Sequence, residues 1–215
     1  MKDISNRIKR GSTCAVIVAH PDDETLWCGG LMLMHPEVQW TVITLCRRSD
    51  TDRFRRFHKV MKKFGATGIM GDLDDGPEQI PLDWYEVRCA ISELLPSDNF
   101  DFIVTHSPHG EYTRHRRHEE VGRAVAYMWE NEELLSKELW QFAYEDSNRQ
   151  HSPQPIQNAD LIIELPKEIW QIKHDIITTV YGFAPHGFEA NAATKKEAFW
   201  CFNTKTKLND RNNND

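Results

Sequence analysis

The run Ala19-His20-Pro21-Asp22-Asp23-Glu24 places one imidazole and three carboxylates almost side by side. Such a cluster repels itself unless something positive holds it. A divalent metal is the simplest holder, because imidazole nitrogen and carboxylate oxygen both suit zinc. His20 and Asp23 are three apart and can aim at one point where a strand hands over to a helix. Asp22 lies between them, points differently and stays free of the metal. Glu24 opens the helix and suits the positive end of its dipole. The plainer alternative is that the acids cap a helix and His20 packs. The strand-like run Ala15-Val16-Ile17-Val18 before the motif and the pair Gly29-Gly30 after it favour the metal.

A second run, from His106 through Ser107-Pro108-His109-Gly110-Glu111-Tyr112 to Arg116-Arg117-His118, again follows an apolar stretch and leads into a helix. His115 and His118 are three apart, so they share one side of an incipient turn. One can ligate a metal while the other faces the substrate. Hydrolytic zinc sites keep three protein ligands and leave a position open for water. His20, Asp23 and one of these histidines meet that count. His109 reads as a structural histidine. For His106 a structural and a functional role stand level.

These residues need a scaffold that brings two strand ends together. Apolar runs predict strands at 13–19, 39–46, 67–71, 100–106, 138–144 and 159–165. Helical patterns predict helices at 24–35, 52–65, 83–95, 118–135 and 167–181, with a short one near 194–200. Asp52 is expected to cap the second helix, Gly65 to end it, and Pro166 to stand at the first position of the fifth. Alternation of strand and helix means crossover connections. The expected fold class is therefore α/β, a Rossmann-like three-layer sandwich with a mostly parallel sheet. In such sheets ligands bind at the carboxyl ends of the strands. The polar stretch Asp146–Asn158, with Pro153 and Pro155, reads as a loop.

With 215 residues the chain suits one domain, expected over 1–207, with 208–215 a disordered tail of mostly Asn and Asp. A formal net charge of -7 argues against nucleic acid as the main partner. No apolar run is long enough to span a bilayer, and residues 1–7 do not read as a secretory signal. The 5 cysteines are odd in number and show no CxxC pair, so they read as reduced thiols of a cytoplasmic protein. A dinucleotide-binding dehydrogenase is set aside, because the first strand-to-helix turn carries acids where a pyrophosphate needs glycines.

Arg47, Arg48, Arg53, Arg55, Arg56, Lys59, Lys62 and Lys63 make a basic stretch, and Arg114, Arg116 and Arg117 a second. A solvated helix face is the first reading. The other is an anionic substrate, with Arg47 or Arg53 as the first contacts. The loop Tyr181–Phe188, including His186, either closes over the pocket or simply packs.

Taken together these motifs resemble the PIG-L/LmbE-like zinc-dependent deacetylases, which include N-acetylglucosaminyl-phosphatidylinositol de-N-acetylases. The resemblance rests on Ala19–Glu24, Gly29-Gly30, the Gly-Glu-Tyr-x-x-His-x-x-His run from Gly110 to His118, and the acidic turn Asp74-Asp75-Gly76. It covers most of the first 125 residues, and the C-terminal third fits loosely. It implies a Rossmann-like fold and one Zn2+ held by His20, Asp23 and His118. It implies Asp22 as general base and His115 as the group that polarises or protonates at the scissile bond. The implied partner is a small N-acetylated sugar, anionic if the basic stretch contacts it, and a homo-oligomer is left open. Two departures stand out. Arg117 occupies a place where the family often has an acid or small polar residue, and Arg56 stands roughly where it has a glutamate. Arg117 is expected to lower the pKa of His115 or to force another partner on it. Alternatives are an esterase or another amidase on the same metal, and a ligand-binding protein that has lost activity. Purified protein should carry about one zinc ion per chain by elemental analysis, and His20→Ala should lose it; wild type with no affinity for zinc would sink both enzyme readings.

Overall fold

The structure is a computed structural model and describes residues 7–113, 115–204 and 208. The first half runs β1 (Thr13–Val18), α1 (Asp23–Met34), β2 (Gln39–Cys46), α2 (Thr51–Phe64), β3 (Thr67–Leu73) and α3 (Trp84–Leu94). It continues through β4 (Asn99–Thr105), α4 (Arg116–Glu130) and β5 (Leu135–Phe142) to a small hairpin, β6 (Tyr144–Glu145) and β7 (Gln154–Pro155). The chain then forms β8 (Leu161–Glu164), α5 (Lys167–Asp175) with a π-helical extension over Ile176–Tyr181, α6 (Phe188–Ala192) and β9 (Lys196–Phe202).

Seven strands join in the order β3-β2-β1-β4-β5-β9-β8. The pairs from β3 to β5 are parallel, and β9 runs antiparallel to both β5 and β8. Side chains of β1 alternate between two cores, as the period of a strand requires. Cys14, Val16 and Val18 pack with Trp27 of α1 and Phe57 of α2. Ala15, Ile17 and Ala19 pack with Ile91 of α3 and Val125 of α4. The sheet is thus covered on both faces, a three-layer α/β sandwich as the alternating pattern predicts.

Several local expectations change. The short helix near 194–200 is instead strand β9. Its run Ala198-Phe199-Trp200-Cys201-Phe202 is buried throughout and sits between two strands. An apolar run this short has no periodicity to separate the two. The helix expected over 118–135 stops at Glu130, and the one over 167–181 turns π-helical after Asp175. Asp50, not Asp52, caps α2: its side chain accepts from the amides of Asp52 and Arg53, while Asp52 pairs with Arg56. Gly65 does end α2, in the left-handed region at φ 65°. Pro166 stands at the N-cap of α5, one position before its first turn. Strand β7 falls within the stretch expected as loop, and helix α6 where no element was expected. Leu208 is buried with the second core, and 209–215 lie outside the described residues, as does Arg114. No described helix is long and apolar enough to cross a membrane.

Strands β1 and β4 are neighbours, yet the chain leaves them toward opposite sides of the sheet. This is the switch point at which an open α/β sheet forms its crevice. Both motifs emerge there. Gly122 lets α4 approach the turn after β4, since a Cβ at this position would lie 2.5 Å from the Ser107 carbonyl oxygen. Helix α1 is tied down from the other side. The buried Glu197 carboxylate of β9 accepts from the amides of Gly30 and Leu31 at 2.7 and 2.8 Å. It also accepts from Lys173 Nζ at 2.7 Å, and both side chains are fully buried. Removing one partner of such a pair strands a buried charge. Lys173→Met should therefore cost about 3–5 kcal/mol in urea unfolding; a loss near zero would show that the pair does not anchor α1.

Candidate metal centre and catalytic cleft

The turn after β1 is strained where the chemistry lies. Asp22 has φ 126° and ψ -31°, a conformation rarely adopted by a residue with a Cβ. Such strain costs about 1–3 kcal/mol and persists only where neighbours enforce it. Here the enforcer is Glu24, fully buried. Its Oε2 accepts from the Asp22 amide at 3.1 Å, and its Oε1 accepts from Tyr181 Oη at 2.7 Å and Thr25 Oγ1 at 2.6 Å. Tyr181 reaches this position from the last residue of the π-helical segment. Glu24 is thus a brace for the turn more than a helix cap.

Three donor groups converge beside this turn. His20 Nδ1 lies 3.3 Å from His118 Nε2. It lies 3.3 Å from Asp23 Oδ2, and His118 Nε2 lies 3.3 Å from Asp23 Oδ1. Tetrahedral zinc with bonds of about 2.0–2.1 Å sets its ligands roughly 3.3–3.4 Å apart, so the spacing fits the ion. Each ring's other nitrogen faces a carboxylate. His118 Nδ1 donates to Glu111 Oε2 at 2.6 Å, which leaves the lone pair on Nε2. His20 Nε2 faces Asp75 Oδ2 at 3.2 Å, which leaves its Nδ1 lone pair toward the same centre. A carboxylate behind each imidazole is the usual way to orient a metal-ligating histidine.

His106 stands beside this triangle. Its Nε2 is 3.4 Å from Asp23 Oδ2 but accepts the Ala19 amide at 3.0 Å. Its Nδ1 donates to Glu111 Oε2 at 2.8 Å. Both nitrogens are therefore used, and His106 reads as support. His106, His118 and His115 form a column of stacked rings, with centroids 4.0 and 4.1 Å apart. His20, His115 and His118 also bring ligand atoms within 4.8 Å of one another, so His115 stands at the rim of the centre.

The titrating groups follow from burial and charge. Burial opposes the Asp23 carboxylate, but His118, His106 and His20 outweigh it and hold its pKa well below the usual range. Asp22 goes the other way: burial raises its pKa, the Asp23 charge adds to this, and Arg53 and His20 only partly offset it. His115 is lowered to about 3 by burial and by the neighbouring His118 and His20, and its buried Nδ1 has no hydrogen-bond partner. Arg117 is not the cause. Its guanidinium is buried and turned away, bonded to the carbonyl oxygens of Asp74 and Ile80 and to Glu120 Oε2. The expectation that Arg117 lowers the His115 pKa is corrected accordingly.

The centre opens into a cleft of about 190 Å3. His20, Asp22, Asp23 and His115 line it, and so do Arg47 and Arg53. Arg47, left-handed at φ 73°, pairs with Asp75 through Nε at 2.7 Å and Nη2 at 2.5 Å. Arg53 donates to the Pro21 carbonyl at 3.1 Å and lies 3.7 Å from Asp22 Oδ2. His186 is exposed and does not line the cleft; Phe188 and Glu189, just after it, do. Arg56 donates to the carbonyls of Val180 and Tyr181 and so buttresses the π-helical segment. Glu111 and Asp75 were not singled out by spacing, although both sit inside recognised runs.

A Rossmann-like sheet with a His-Asp-His cluster at its switch point defines the class. The chain belongs to the PIG-L family, described as GlcNAc-PI de-N-acetylase, whose profile matches residues 15–129 and so takes in both motifs. No curated protein matches the sequence. Among solved structures, the N,N'-diacetylchitobiose deacetylase from Pyrococcus horikoshii, in complex with its inhibitor MPG, shares 14% identity at a TM-score of 0.66, over 94% of this chain and 88% of that one. A deacetylase of the teicoplanin biosynthesis pathway, complexed with teicoplanin, shares 12% at 0.60, over 90% and 99%. The 4-carboxy-2-hydroxymuconate hydratase GalB from Pseudomonas putida KT2440 shares 14% at 0.56, over 85% and 82%. At these identities the likeness is one of fold. Glu111→Gln replaces one acceptor facing two imidazole N–H groups with a donor, and should weaken zinc binding roughly 10- to 100-fold by competition with a chelator; unchanged affinity would remove Glu111 from the centre.

Proposed function

We propose that this chain is a zinc-dependent de-N-acetylase that hydrolyses the acetamide of an N-acetylated sugar. The observation that carries the reading is the triangle of His20, Asp23 and His118 beside an unligated, strained Asp22. Family membership and two deacetylases among the structural neighbours support it. His20, Asp23 and His118 would hold the metal, which supplies Lewis-acid chemistry that activates water and polarises the amide carbonyl.

The chain's own groups account for the protons. Asp22 faces the cleft, and burial makes it a stronger base than an ordinary carboxylate. It takes a proton from the attacking water and returns it to the departing amine, so acetate and a free amino sugar result. His115, neutral, lines the same cleft and donates a hydrogen bond to the oxygen that becomes negative as the tetrahedral centre forms. Arg47 and Arg53, which also line the cleft, bind the substrate through hydroxyls or an anionic group. Arg117, locked in its own ion pairs away from the cleft, gives no support to a protein that has lost activity.

A panel of N-acetylated sugars assayed for acetate release, with and without zinc, tests the reading. Asp22→Asn should lower kcat by about 10²–10⁴-fold while leaving zinc content unchanged. His115→Ala should lower it by about 10²–10³-fold. Zinc-loaded wild type that releases acetate from none of the sugars would overturn the proposal.

A further inference from the structure

Arg117 is 1% exposed, yet the segment it holds lies mostly at the surface. Within residues 74–80, Asp74, Pro77, Glu78 and Ile80 are exposed. A surface turn of this kind has little packing to fix it. Hydrogen bonds from α4 to its backbone do so instead. Arg117 Nε donates to the Asp74 carbonyl oxygen at 2.6 Å, and Nη2 donates to the Ile80 carbonyl oxygen at 2.8 Å. One guanidinium therefore grips both ends of the turn. Its Nη1 donates to Glu120 Oε2 at 2.6 Å, and Glu120 Oε1 accepts from the Leu82 amide at 3.1 Å. Arg117 and Glu120, three residues apart on α4, thus hold the segment at three backbone points.

What the turn carries is Asp75. Its Oδ2 faces His20 Nε2 at 3.2 Å and accepts from Arg47 Nε at 2.7 Å. Its carbonyl oxygen accepts from Arg47 Nη2 at 3.1 Å. Gln79, left-handed at φ 47°, closes the turn from inside: its Nε2 donates to Asp75 Oδ1 at 2.8 Å and to the Gly76 carbonyl oxygen at 3.1 Å. One carboxylate on an exposed turn therefore stands behind a candidate metal ligand and beside an arginine of the cleft. Such a carboxylate orients an imidazole only as well as its own backbone is held.

The residue type at 117 matters for this grip. An acid would repel the carbonyl oxygens, and a small residue would not reach them. Only the planar fork of arginine meets two acceptors in a fixed geometry; lysine offers a single point of charge. His118, the next residue, meets the centre itself. We propose that Arg117 is a positioning residue of the metal centre: by gripping both ends of the 74–80 turn it fixes Asp75, and through Asp75 the ring of His20. The departure from the family pattern at this position is then a change of device, with the first turn of α4 presenting one ligand directly and steadying another across the turn. The inference rests on the proposal that His20, Asp23 and His118 hold zinc.

Zinc affinity, measured by competition with a chelator, reads this without any substrate. Arg117→Lys keeps the charge and loses the two-point grip, and should weaken zinc about fivefold or more. Asp75→Asn should weaken it roughly 10- to 100-fold. In the Asp75→Asn background Arg117→Lys should remove no further affinity, because its effect passes through the carboxylate already lost. Amide hydrogen exchange over 74–80 should quicken about tenfold in Arg117→Lys, with β1 unchanged. Should Arg117→Lys fail to fold, Glu120→Ala, which removes one of the three backbone points, carries the same cycle: weaker zinc alone, and no further loss beside Asp75→Asn. Wild-type affinity in the single variant, additive losses in the double variant, or unchanged exchange at the turn overturns the inference while the metal centre stands. A wild type with no affinity for zinc removes the metal centre and this inference with it.

Discussion

Two imidazole lone pairs and a carboxylate face one another at 3.3 Å, and this convergence governs the rest of the molecule. Without a cation it is unfavourable, because every partner is an acceptor. Part of the relief comes from the chain itself: burial acts to lower the pKa of His20, but the neighbouring carboxylates Asp23 and Asp75 raise it. A doubly charged ion relieves it more fully, since it satisfies all three donors at once. The fold supplies the remaining requirement by placing the ends of β1 and β4 side by side, so that residues 98 apart in sequence meet.

Around that centre the structure spends its buried polar groups on orientation. Glu111 fixes His118 and His106, the Ala19 amide fixes the other face of His106, and Asp75 stands behind His20. Glu24 and Tyr181 hold Asp22 in its strained backbone, so the base is displayed beside the ligands without joining them. Low dielectric makes these networks effective only when each member is satisfied. The buried Nδ1 of His115 is left without a hydrogen-bond partner, and His115 lines the cleft.

Much of this was legible in the sequence. Strands β1 to β4 and their helices announce themselves by apolar runs and by a well-marked C-cap at Gly65. The two motifs stand out because residue types that ligate metals sit at strand ends. What was not legible is instructive. Strand β9 reads as helix because a short, fully buried run lacks a period. Glu111 and Asp75 act through space, and a lone carboxylate in a loop carries no spacing signal. Arg117 looked like a charge beside the pocket, but a guanidinium has long reach, and this one turns to Asp74 and Glu120 instead. The left-handed turn at Ser147–Arg149 contains no glycine and so gave no warning of its conformation.

Anomalous diffraction at the zinc absorption edge, on crystals grown with zinc, bears most directly on the convergence itself. One strong peak bonded to His20 Nδ1, Asp23 and His118 Nε2, with Asp22 outside bonding distance, is the predicted result. A peak held instead by His106 or His115 without His20, or no peak between the two strand ends, would contradict the account.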